Sequence, residues 1–198
     1  MNAIAPRTRY SSPLRTRQKD QTRLLILEGV ARLLRQGDAA AITITDVACA
    51  AEVTERTIYR HYQSREELMR VYWPWQLERL VAQPKPAATR REALTRQVRD
   101  NFAVWAREER LARAAFTSGE GHRLGGRASD LESVGELIAE ILPTLPPARA
   151  RDAVAAIGAQ ASLANWIALR DAGLSAKQAA DAAVRGIELV LAGARASL

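Results

Sequence analysis

Three hydroxyl residues, Thr43, Thr54 and Ser64, each open a helical pattern within one short stretch of the chain. A side-chain oxygen just before a helix satisfies one of the amides that the first turn leaves without an intrahelical partner. Thr43 is followed three positions later by Asp46, and Ser64 by Glu67, which is the spacing of a capping box. The chain between these caps is thereby confined to two short helices, about Ile44 to Ala51 and Thr54 to Tyr62, with Glu52 and Val53 as the turn. Ahead of them, Leu24, Leu27, Ala31 and Leu34 recur at helical spacing from about residue 17, and Gly37 supplies a stop. Behind them, a fourth helix from Ser64 carries Leu68, Val71, Tyr72 and Trp75 inward. Pro74 lies inside it and predicts a kink, because its ring removes the bond to the carbonyl of Arg70.

Beyond a segment break at 83–89, Val98, Phe102 and Trp105 mark a helix that ends in the charged stretch 107–110, and 111–116 reads as a short helix. Gly119, Gly121, Gly125 and Gly126 are too dense for regular structure. A helix over about 128–142 stops at a proline-rich stretch. Two long Ala-rich helices, about 147–171 and 175–195, close the chain, broken at Gly173 and with Ser175 capping the second. With no alternating strand pattern and no repeat, the expectation is an all-α protein of about nine helices. Its divisions are a basic flexible arm over 1–19, a three-helix unit over 20–68 and a larger helical domain over 69–198.

Cys49 is the one cysteine, which rules out an intrachain disulfide and a multi-cysteine zinc site and fits a reducing, cytoplasmic location. The longest uncharged run, Ala153 to Leu169, falls short of a membrane span, so no membrane partner is expected. Two histidines without a local motif partner leave little for nucleophilic or metal chemistry, and no cofactor or metal is expected. The glycine-rich stretch at 118–127 is not a phosphate loop, since no Lys-Ser/Thr follows it and no strand precedes it. Net charge is +7, with residues 1–68 carrying 11 basic against 8 acidic groups and the remainder 18 against 14. A basic balance favours polyanionic partners such as nucleic acid. The excess concentrates at Arg7, Arg9, Arg15, Arg17 and Lys19, where a disordered solubilising tail and an arm entering the minor groove explain it equally well.

Three helices with a tight turn between the last two are the plan of a helix-turn-helix DNA-binding unit. In the third, Ile58 and Tyr62 face inward with Val53, leaving Glu55, Arg56, Thr57, Tyr59, Arg60 and His61 largely outward. Charge content alone suits an ordinary solvated helix better. The whole window 43–69 decides otherwise. Thr43, Val47, Ala48, Ala51, Val53, Thr54, Thr57, Tyr59, His61, Tyr62, Arg65 and Leu68 make it resemble the DNA-binding segment of the TetR family of transcriptional regulators, with the resemblance strong over about 20–70. The resemblance implies that Thr54 caps the recognition helix, that Glu55, Arg56, Thr57 and Arg60 read bases, and that Tyr59, His61 and Arg65 bond phosphates. Thr43 and Thr45 would approach the DNA backbone at a helix start. Arg56 to guanine and Glu55 to the cytosine amino group are the pairings that chemistry suggests. One departure is Glu52, at the turn position where the family usually places glycine; a positive φ there would strain a glutamate.

For the remaining helices the resemblance implies a small-molecule effector, release from DNA on its binding, and a homodimer on a roughly palindromic operator. Ala153, Ile157, Ala161, Ala164 and Ala168 form one small-residue stripe and Ala180, Val184, Ile187 and Leu191 another, suited to a dimeric four-helix bundle of the last two helices. Trp73, Trp75, Phe102, Trp105, Phe116 and Trp166 are candidate apolar lining of a pocket, with His122, Asn165 and Arg170 as polar contacts. Arg113, Arg123 and Arg127 give weak support for an acidic ligand. Cys49, near the DNA-facing unit, is a candidate redox thiol or an inert small residue. The rival reading is a helical adaptor that binds protein through the Ala-rich faces and leaves residues 54–61 idle.

Overall fold

A computed structural model describes residues 13–37, 42–120 and 128–196. Among these there are ten helices and no strand: α1 (Pro13–Gln36), α2 (Ile44–Ala51), α3 (Glu55–His61), α4 (Arg65–Arg79), α5 (Arg90–Arg107), α6 (Glu109–Thr117), α7 (Ala128–Ile141), α8 (Pro147–Gln160), α9 (Leu163–Asp171) and α10 (Ala176–Ala196). The expected nine become ten because the stretch 147–171 is two helices. Ala161 closes α8, and the Ser162 hydroxyl caps α9 by accepting from the Asn165 amide. The Asn165 side chain in turn donates to the Gln160 carbonyl at 2.9 Å, so the break is held from both sides.

The head is built on α1, whose face Ile26, Leu27, Gly29, Val30, Ala31 and Leu34 is buried largely on α2. Leu24, expected inward, is 39% exposed, because the register is set by Ile26 and Val30. Gly29 permits the closest approach: a Cβ there would lie 3.1 Å from both the Cβ and the backbone nitrogen of Ala51. α1 already begins at Pro13, so Arg15, Arg17 and Lys19 sit on its exposed first turns rather than in a flexible arm; residues 1–12 lie outside the described residues.

No loop separates head from body at residue 68. α4 runs through that position, and through Pro74, as one helix. Its start is fixed by Ser64, which accepts from the Glu67 amide at 3.2 Å, while the Glu67 carboxylate takes the neighbouring Gln63 amide rather than closing a box on Ser64. Its far end is held by α5: the Trp105 Nε1 donates to the Leu80 carbonyl at 2.7 Å in a fully buried site.

The body packs α5, α7, α8, α9 and α10 around this core. Arg91 and Arg99 of α5 pair with Glu188 and Asp181 of α10, and Arg90 pairs with Glu136 and Glu140 of α7. The small-residue stripes are spent here only in part. Ala153 and Ile157 of α8 and Ala180, Val184, Ile187 and Leu191 of α10 are buried within the single chain, whereas Ala161 is half-buried and Ala164 and Ala168 of α9 are exposed, so the faces expected to await a second copy are covered on α8 and α10 but not on α9. Small side chains let α10 approach both α5 and α8, and that double contact supplies the cover. Gly173 (φ 87) ends α9, and Ser175 with Gln178 forms the reciprocal cap of α10.

Candidate functional site

The helix-turn-helix geometry follows from local bonds. Thr43 and Asp46 form a complete capping box on α2, with the Asp46 carboxylate accepting from both the Thr43 amide (2.9 Å) and its hydroxyl (2.6 Å). Those bonds hold the Asp46 carboxyl below the usual carboxylate range. Glu52 then closes α2 in the left-handed region at φ 55, ψ 40, and Val53 donates to the Ala48 carbonyl at 3.0 Å. Thr54 caps α3 by accepting from the Thr57 amide, and its hydroxyl also lies 3.0 Å from that of Thr57.

Within α3 only Ile58 is buried, and Tyr62 follows it into the core. Glu55, Arg56, Tyr59 and Arg60 are exposed, Tyr59 by 51%. Arg56 and Arg60, four residues apart, share one face and carry fork-shaped donors suited to base edges and phosphates. Thr57 is half-buried. Glu55 is not simply free to meet a cytosine, since its carboxylate accepts from the Thr45 hydroxyl at 2.7 Å and so joins α2 to the start of α3. Arg65 is half-buried and donates from Nε to the Ile42 carbonyl at 2.8 Å, bracing the approach to α2.

His61 departs from expectation. Both ring nitrogens are covered and without a partner among the described residues. Position 61 lies three residues after buried Ile58 and turns to the same side, lining a cleft with Gln18, Lys19 and Thr22 of the first half of α1. Burial first, and then the charges of Arg60, Lys19 and Arg23, push the imidazole below the usual histidine range. Cys49 is exposed on α2.

Residues 26–72 match the tetR family of bacterial regulatory proteins. The head is a tetR-family DNA-binding unit. Two solved structures are similar over the full architecture. One is a TetR-like transcriptional regulator from Rhodococcus sp. RHA1, with TM-score 0.59 and 18% identity over 88% of this chain and 96% of that one. The other is the dihydroxyacetone kinase operon activator DhaS, with TM-score 0.54 and 14% identity over 88% and 96%. At these identities the likeness is one of fold. A search of curated proteins gives no match. With a tetR-family head in this fold, the protein is a DNA-binding transcriptional regulator and not an enzyme.

In the body behind this head, the cavity lies elsewhere than the aromatic residues suggested. Trp73, Phe102, Trp105 and Trp166 are core: Trp105 packs on Phe102 with centroids 5.2 Å apart and edge-on to Trp166 at 6.2 Å. Trp75 lies under the Arg79 guanidinium, 3.8 Å from its ring centre, beside a cleft between α1 and α4. Phe116 is exposed, and His122, Arg123 and Arg127 lie outside the described residues. Asn165 is engaged with Gln160. Arg170 donates to the Leu174 carbonyl and to Glu109, with its Nε buried and without a partner among the described residues, and Arg113 pairs with Glu109 and Asp171. Large aromatics fill this core because they bury the most area per residue.

A cavity of about 590 Å³ instead opens between the end of α4 and helices α5, α7 and α8. Leu94, Val98, Val134, Leu137, Gly158 and Ala161 supply its apolar wall, and Gln97 and Asn101 the polar spot. One sequence signal for it existed: Gln97 and Asn101 are an i,i+4 amide pair on the face of α5 that also buries Val98 and Phe102.

Proposed function

We propose that the protein is a sequence-specific repressor that reads a roughly palindromic operator as a homodimer and leaves it when a small molecule fills the body cavity. The observation that carries the reading is the outward row Arg56, Tyr59 and Arg60 on a helix fixed by the Thr54 cap. Arg56 and Arg60 read bases, with Thr57 and Glu55 at the edge of the same surface. Tyr59, Thr43 and Thr45 meet the backbone together with Arg65. Arg15, Arg17 and Lys19, exposed on α1, add sequence-independent attraction.

Dimerisation through α8 and α10 uses their outer faces, Ala155 and Ala159 on one and Leu189 and Ala192 on the other; Leu189 is 72% exposed. Two heads would then meet successive major grooves, about 34–36 Å apart or a multiple of that. A cytoplasmic location follows from action on DNA, and among the described residues no helix is long and apolar enough to cross a membrane. Repression rather than activation is part of the proposal, although DhaS is named an operon activator.

The test is binding of full-length protein to DNA flanking its own gene, with scrambled competitor and a salt series, alongside a reporter for the sign of regulation. Specific binding with steep salt dependence is expected. Arg56→Ala should cost about 1–3 kcal/mol at one operator position. Equal weakening on every substituted operator would remove Arg56 from the reading set, and salt-insensitive behaviour with no DNA affinity would favour a protein-binding adaptor.

A further inference from the structure

The inner wall of the body cavity carries one donor group and one acceptor whose identities its own hydrogen bonds fix. The Ala82 backbone amide can only donate, so the Asn101 atom it meets at 2.9 Å is Oδ1. The same oxygen accepts from Gln97 Nε2 at 3.0 Å. The Ala82 carbonyl can only accept, so the Gln97 atom 2.8 Å from it is Nε2. These bonds leave one donor, Asn101 Nδ2, and one acceptor, Gln97 Oε1, without a partner among the described residues. Asn101 is only 8% exposed and lines the cavity, where a ligand can meet it.

The charges around the cavity do not invite an ionic ligand. Arg90, on its wall, is held by Glu136 at 2.5 Å and Glu140 at 3.0 Å. Glu78, on the rim, is an exposed carboxylate and repels an anion. Apart from the exposed, uncharged Gln83 and Ser133 and the Gln97–Asn101 pair, the rest of the wall is apolar.

We propose that the cavity takes an uncharged, largely apolar molecule carrying a carbonyl or carboxamide, read by Asn101 Nδ2 and, where the ligand has an N–H, by Gln97 Oε1. This rests on the reading of the cavity as the effector site. The amides that meet the ligand are the ones that fasten Ala82, three residues beyond α4, to α5. Ligand therefore sits one hydrogen bond from the exit of the helix whose other end abuts the DNA-reading head.

The experiment is fluorescence titration of full-length protein with prodan, a neutral naphthalene ketone, followed by displacement with octanamide, octanoate and octylamine. Leu94→Trp fills the cavity. Asn101→Asp keeps an oxygen for Ala82 and Gln97 while replacing the free donor with an acceptor. Wild-type protein should bind prodan saturably, Leu94→Trp should abolish it, and Asn101→Asp should weaken it roughly 3- to 10-fold, the range for one lost hydrogen bond. Octanamide should displace prodan at lower concentration than either ion. Stronger displacement by octanoate or octylamine overturns the assignment, and this arm needs no variant to fold. Prodan blocked by Leu94→Trp but indifferent to Asn101→Asp, with circular dichroism and Tm unchanged, overturns the amide's role and leaves the cavity as a ligand site. Absence of prodan binding to wild-type protein, or binding that survives Leu94→Trp, overturns both this inference and the effector reading of the cavity. Operator binding by the same preparations tells that failure from failure of the DNA-binding function.

Discussion

Glu52 occupies a backbone conformation that glycine adopts at little cost, and the chain should be more stable with glycine there. At φ 55, ψ 40 it is the one non-glycine residue with positive φ among the described residues. An L-residue in this region costs roughly 1–2 kcal/mol through the approach of Cβ to the following carbonyl. Glycine removes that cost but brings about 0.5–1 kcal/mol of extra unfolded-chain entropy. The backbone terms alone leave Glu52→Gly more stable by about 0.5–1 kcal/mol, on top of the loss of charge that it shares with alanine, since among the described residues the exposed Glu52 side chain has no hydrogen bond to lose. For a chain of this length that is a rise in Tm of about 1–4 °C. Glu52→Ala is the control. It keeps Cβ and the strain, yet relieves the unfavourable carboxylate at the C-terminal end of α2, an effect of about 0.3–1 kcal/mol. Calorimetry and urea unfolding of the three proteins should therefore rank glycine above alanine. If alanine equals or exceeds glycine, the gain belongs to charge and the argument from backbone strain is wrong.

Gly29→Val should destabilise by about 1–3 kcal/mol in urea unfolding, because the added atoms meet the Ala51 backbone nitrogen, which cannot swing aside. Trp105→Phe strips the Leu80 carbonyl of its donor in a site with no water access and should cost about 1–3 kcal/mol; an unchanged urea midpoint would refute that bond's role. His61 makes stability depend on pH in a stated direction. Its folded-state value lies below the ordinary 6.5, so the unfolded chain holds the proton more tightly. The stability is full above that ordinary value and is lost as pH falls through it towards the folded value. Tm measured from about pH 7.5 to about pH 5 should fall more in wild-type protein than in His61→Gln, and parallel curves would show that His61 is not the titrating group.

Much of the head was legible because its determinants are local. Thr43, Thr54, Ser64 and Ser175 each bond an amide three residues away, so spacing alone placed the starts of α2, α3, α4 and α10. The turn at Glu52 and Val53 was legible for the same reason, since a helix end and the next cap leave two residues to reverse the chain, while its left-handed backbone was suggested only by the family's usual glycine at that position. A cap can also be overlooked. Ser162, inside a run that reads as one Ala-rich helix, splits it in two through a bond to Asn165 that periodicity does not register.

The body was decided by tertiary contact. Alanine stripes on α8 and α10 are equally consistent with a partner copy and with α5, and only the packed chain shows α10 serving α5 and α8 at once. Four of the six candidate aromatic residues, Trp73, Phe102, Trp105 and Trp166, became core, while the cavity drew its walls from α4, α5, α7 and α8. His61 turned inward for a similar reason: in a helix of seven residues, one step of rotation at the end depends on what α1 lays over it. A hydrogen bond across three residues is fixed by chain geometry, so the sequence by itself determined where the reading head begins, turns and displays its arginines. Burial depends on which distant faces meet, so only the tertiary structure decided which side chains fill the core and which are left to meet a ligand.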